Sequence, residues 1–169
     1  MIRTFNGKTP KIASSAFVSE AAYVIGDVEI GENSSIWPGA IVRGDVASIK
    51  IGNNSQIEDN CVVHTGNPLI IGDSVHVGHN VVIHCSRIGS HVLVGNSATL
   101  LDNAEIGDSC VIAAGSLVRE GVNIPSGSFV SGMPAQVKGT VKPEQMDRIE
   151  YGVKFYVELA REYKQQGLG

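Results

Sequence analysis

Five histidines fall within residues 64–91: His64, His76, His79, His84 and His91. Neutral imidazole is the commonest metal ligand and the side chain that changes charge near neutral pH. Arg43, Asp45, Glu58, Asp59 and Asn96 surround these histidines in the sequence. Three imidazoles that leave one coordination position to water make a catalytic zinc site, in which the pKa of the bound water falls from ~15.7 towards ~7. Whether this chain can form such a set depends on which side chains its fold stacks together.

The 169 residues are 43% hydrophobic and 18% charged, which fits one globular domain. The net charge of −4 argues against nucleic acid as a partner, since that role wants a basic face. No apolar run approaches the ~20 residues of a membrane span. Residues 1–7 lack the charged-then-apolar layout of a secretion signal. Cys61, Cys85 and Cys110 are odd in number and form no CxxC motif, so they read as free thiols and the expected location is cytoplasmic.

Glycine is frequent, at 20 residues, and aromatics are only 5%. The reason is a repeat. Aliphatic anchors recur every six residues: Val24, Ile30, Ile36, Val42, then Ile51, Ile57, Val63, then Ile71, Val77, Ile83. The series continues through Ile88, Val94, Leu100, Ile106, Ile112, Val118, Ile124 and Val130. Four positions after most anchors sits a small residue, Cys61 and Cys110 among them. A period of six is neither helical nor a plain strand alternation; a short strand plus a tight turn accounts for it. One such unit cannot bury its own apolar face, so the units must coil and stack. A β-sandwich with Gly-rich turns would give irregular spacing.

Three units per coil close a triangular prism with three columns of anchors. Insertions at residues 47–50 and 66–69 are expected to loop out. Residues 1–20 contain Pro10 and no clear six-residue units, and are expected to form an irregular or strand-like cap over the first coil. Spacings of three and four at Met146, Ile149, Val153, Tyr156, Ala160 and Tyr163 mark an amphipathic helix after Pro143. The expected division is a β-helix domain over residues 1–139, with its N-terminal cap, and a helix packed on it over residues 140–169.

The columns place the side chains that could do chemistry. Arg43, His64 and His84 each follow an anchor of the first column on successive coils, ~4.8 Å apart. His64 and His84 can therefore share one ion. His79 follows a third-column anchor and lies on another edge. It should not reach that ion within its own chain, but a threefold neighbour could supply it. Asp59 and Asn96 flank His79 one coil to either side. His76 and His91 lie off these positions and read as polar surface residues. Cys85 points away from His84 and is not expected to be a ligand.

Three segments carry a family resemblance: Arg43-Gly44-Asp45, Ile57-Glu58-Asp59-Asn60-Cys61-Val62-Val63-His64, and Gly78-His79-Asn80-Val81-Val82-Ile83-His84. The chain resembles the γ-class carbonic anhydrases. The resemblance implies an all-β, left-handed parallel β-helix with a C-terminal α-helix, assembled as a homotrimer. It implies Zn2+, with Fe2+ or Co2+ as alternatives, bound by His64 and His84 of one subunit and His79 of the next. Reversible hydration of CO2 to bicarbonate, through hydroxide on the metal, is the implied reaction. Arg43 and Asp45 would join subunits and order the site, Asp59 would shape the solvent network, and Tyr156 looks like a tyrosine set near the metal. Glu58 stands where the family often has Gln. Residues 65–69 lack the acidic proton-shuttling loop of the prototype. Two other readings share the repeat: a CoA-dependent acyltransferase using one histidine as base, and a metal-tied scaffold without activity.

Overall fold

The computed structural model describes residues 1–169, and in it the anchors stack in parallel register as three faces of a solenoid of about seven coils. Val24, Val42, Val63, Ile83, Leu100 and Val118 pair successively on the first face. Ile30, Ile51, Ile71, Ile88, Ile106 and Ile124 do so on the second. Ile36, Ile57, Val77, Val94, Ile112 and Val130 form the third. No anchor is more than 3% exposed, so the prism is a packed core and not a pore. The architecture is the left-handed hexapeptide-repeat β-helix.

The corners explain the glycines. At Gly52 the next coil passes so closely that a Cβ would stand 2.6 Å from the carbonyl oxygen of Gly72. His91 occupies a different kind of corner, with Asn33, Asn54, Ser74 and Ser109, all at positive φ. It is a turn residue, in keeping with its reading as a surface side chain. Cys61, Cys85 and Cys110 are fully buried in the main apolar cluster. Burial pushes the Cys61 and Cys85 thiols up to about 12, which keeps them protonated and inert.

Residues 1–20 are strand-like and wind as a coil of their own over the repeat. Ile2–Arg3, Lys11–Ile12 and Phe17–Val18 pair in parallel with the coil that follows. A reverse turn closed between Phe5 and Lys8, with Pro10 after it, breaks the count of six and hides this coil in the sequence. The insertion expected at residues 47–50 is corrected in part: residues 45–48 bulge out without ladder partners, with Val46 66% exposed, but Ile49 and Lys50 return to the ladder. Ile49 is 1% exposed and pairs with Val28 and Leu69, while the surplus length is taken up by a register shift after Gly26.

The chain closes with an antiparallel pair, Ser128–Gly132 with Ala135–Thr140, and one helix, Pro143–Gln165. Gln145 accepts a 2.9 Å hydrogen bond from the Lys142 backbone N–H, and Pro143 fills the first turn. The helix buries Ile149, Val153, Val157 and Ala160. Ile149 and Val153 pack on Val111, and Ala160 packs on Phe17 and Trp37. These contacts lay the helix along the third face, with Tyr156 over His76 at a ring separation of 5.1 Å. No helix is long and apolar enough to cross a membrane.

Candidate metal centre

The first edge carries the predicted imidazole pair. Arg43 and His64 are direct partners across adjacent strands, and Val63 pairs with Ile83 immediately before His84. The rings of His64 and His84 have their centroids 5.3 Å apart. Arg43 Nη1 donates to Asp45 Oδ2 at 2.5 Å. Asp45 Oδ1 stands 3.2 Å from His64 Nε2 but is not aligned to bond it, and both atoms are buried without a hydrogen-bond partner. Burial, with the Arg43 cation nearby, pushes the His64 imidazole below its ordinary value, so the ring is neutral at neutral pH. Burial works against the charge on Asp45, yet hydrogen bonds from Arg43 and the backbone hold its carboxyl below the usual range.

A buried, unpartnered nitrogen on a neutral imidazole suits a metal ion, because it offers a lone pair that nothing else uses. His84 fits the same purpose. Its Nδ1 lies 3.0 Å from Asp102 Oδ1, which leaves Nε2 as the free donor. The imidazole donor set fits zinc, iron or cobalt. Asp102 was not among the residues singled out from sequence. The signal was its place one coil, 18 residues, after His84.

The second edge gathers the other candidates. Glu58 is 3% exposed and bridges two rings. Its Oε1 is 2.7 Å from His76 Nε2, and its Oε2 is 3.0 Å from His79 Nε2. Asp59 Oδ2 is 3.0 Å from His79 Nδ1. Asn96 Oδ1 accepts from the His79 backbone N–H at 3.2 Å, so Asp59 and Asn96 flank His79 as the columns require. Burial alone would raise the Glu58 carboxyl, but hydrogen bonds from His76 and the Tyr156 hydroxyl, and the nearby His79, hold it below its usual range. Burial and the same carboxylate push the Tyr156 hydroxyl up, so it stays a donor. The reading of His76 as a surface residue is corrected: its side chain is 15% exposed, sealed by the helix and bonded to Glu58. The helix's position, invisible in the repeat, is what buries it.

Arg43, Asp45, His64 and His84 therefore meet on one edge, and Glu58, Asp59, His79 and Tyr156 on another. Within one chain, no group of three His, Cys, Asp or Glu side chains is arranged to hold a metal ion.

Stacked six-residue units and an imidazole pair on one edge define a hexapeptide-repeat protein, and the family model "Bacterial transferase hexapeptide (six repeats)" matches residues 85–120. A carbonic anhydrase of Geobacillus kaustophilus is 43% identical over 166 residues, covering 97% of this chain and 91% of that protein. The mitochondrial gamma carbonic anhydrase 2 of Arabidopsis thaliana is 40% identical over 162 residues, covering 91% of this chain. The chain spans only 58% and 59% of the length of the two plant relatives it matches. A solved Bacillus cereus structure, described as a candidate acetyltransferase, superposes with a TM-score of 0.96 at 41% identity over 98% of each chain. This chain belongs to the γ carbonic anhydrase family.

Proposed function

We propose that the chain hydrates CO2 reversibly to bicarbonate, as a homotrimer whose metal sites are each shared by two subunits. The observation that carries this reading is the buried, unpartnered Nε2 of His64 beside the His84 ring, with no third ligand in the same chain. His64 and His84 would hold the ion together with the partner's His79. A bound zinc ion supplies Lewis acidity that makes a water ionisable near neutral pH; iron or cobalt could fill the same donor set. The carbonic anhydrases among its relatives support the reaction class.

The chain's own residues do the rest. Asp102 fixes the His84 ring so that Nε2 faces outward. Arg43 holds Asp45 against His64. Asp59 Oδ2 and Glu58 Oε2 stand 3.0 Å from the two His79 ring nitrogens and place their negative charge beside the ring. Glu58, held ionised, offers Oε2 as acceptor for a hydrogen bond from the reacting water. A neighbouring copy is favoured by the outward side of the first face. Ile41 and Val82 are 39% and 38% exposed there, aligned through Val62 next to the histidine pair. A ladder of apolar side chains beside an incomplete ligand set suits a second copy of the same chain.

Stopped-flow CO2 hydration on protein of assayed metal content, prepared with and without oxygen, tests the proposal. Turnover in proportion to bound metal, lost on its removal, is the expected result; full turnover in metal-free protein contradicts it. The description of the Bacillus cereus structure keeps acyl transfer as a second reading. That reading requires acetyl-CoA-dependent transfer without stoichiometric metal. A scaffold requires bound metal and no hydration.

A further inference from the structure

We infer that His76 is a positioning residue that sets the Glu58 carboxylate against His79, and that Gly152 leaves room for it beneath the helix. The inference rests on the reading of the second edge as half of a shared metal site.

The geometry leaves the Glu58 carboxylate little choice. His76 Nε2 holds Oε1 at 2.7 Å and the Tyr156 hydroxyl also bonds the carboxylate, and with these in place Oε2 faces His79 Nε2 at 3.0 Å. His76 is itself confined from three sides. Glu58 lies at one end of the ring. Tyr156 meets it edge-on at 88°, and Tyr156 is wedged in turn against Trp37 at 5.4 Å. The third wall is the helix backbone at Gly152, where an added Cβ would come within 2.8 Å of His76 Nδ1. Glycine is normally a poor residue for a helix interior. Here it sits well inside Pro143–Gln165, and the ring beneath it gives the reason.

A buried carboxylate without its partner reorients or draws in water, because leaving an oxygen unpaired is costly. Loss of His76 should therefore free Oε2 from the line to His79 while leaving every proposed ligand in place. Turnover, rather than CO2 binding, should suffer. The effect should match the ~10–100-fold that loss of an outer hydrogen-bond partner costs at a metal site.

The test uses the full chain loaded with cobalt(II), with kcat and KM for CO2 and the visible absorption spectrum as readouts. His76→Ala should lower kcat by ~10-fold or more with KM changed by less than about 2-fold, and should alter the cobalt bands. His76→Gln keeps an N–H donor at similar reach and should restore both readouts to near wild type. Gly152→Ala should lower kcat and alter the cobalt bands, because the new methyl displaces the His76 ring, while the helix propensity gained offsets only part of the cost of the broken hydrogen bond. Wild-type kcat and bands in His76→Ala would overturn the inference, as would a His76→Gln variant as impaired as His76→Ala. If the wild-type protein binds cobalt but hydrates no CO2, the proposed reaction falls, and the cobalt bands of the variants still decide on His76. A wild-type chain that takes up no cobalt overturns both.

Discussion

His64→Ala protein should contain almost no bound metal and should hydrate CO2 at less than about one-hundredth of the wild-type rate. The magnitude follows from a comparison within the same edge. Asp102 touches only the far side of the His84 ring, at 3.0 Å, so Asp102→Ala removes an outer partner. Such losses cost ~10–100-fold in affinity or activity. His64 contributes the donor itself, the one buried ring nitrogen with no hydrogen-bond partner. Its removal must therefore cost more than the loss of Asp102. His91→Ala is the contrasting variant, since that residue only occupies a corner at positive φ. Metal analysis and stopped-flow kinetics on the three proteins should rank them His91→Ala, Asp102→Ala, His64→Ala in order of increasing loss.

The second large effect is on stability. Gly52→Ala should destabilise the protein by about 3 kcal/mol, the upper part of the range for forced overpacking. Two effects compete at any such site. A methyl stiffens the unfolded chain and gains about 0.4–1 kcal/mol where the native conformation accepts it. At Gly52 the methyl would instead stand 2.6 Å from the Gly72 carbonyl oxygen, with the Asp73 carboxylate also in contact. Backbone cannot step aside without parting two coils, so the clash wins. Gly66 is the control, because a Cβ there meets nothing within 4 Å. Gly66→Ala should stay within about 0.5 kcal/mol of wild type. Urea unfolding at one fixed protein concentration makes the comparison, since assembly would make the midpoint concentration-dependent.

The sequence made the three columns legible because the period of six persists through most of the chain and each anchor has only one inward place. His64 and His84 were legible for the same reason: both directly follow anchors of one column. The first coil was not, since the turn between Phe5 and Lys8 and Pro10 break the count while the strands still pair. Ile49 was missed because a strand can absorb surplus residues by shifting register. Asp102 and His76 each sit 18 residues from the partner they bond, His84 and Glu58. That offset is one coil, and it becomes meaningful only when outward side chains are tracked as closely as inward ones. His76 needed one thing more. What buries it is a helix about 75 residues further along, and periodicity shows that helix's apolar stripe but not the face on which it lies.

The central claim is that each metal site takes two imidazoles from one chain and a third from its neighbour. Mixed trimers test it most directly. Chains carrying His64→Ala and chains carrying His79→Ala are co-expressed in equal amounts under separate tags, and trimers carrying both tags are isolated. Each parent alone should be inactive. Around a ring of three, any mixed trimer has one contact where an intact His64–His84 pair meets an intact His79. Trimers of mixed composition should therefore recover about one-third of wild-type activity, with about one metal ion each. Mixed trimers as inactive and metal-free as their parents, or a species carrying both tags that never forms, would contradict the shared site.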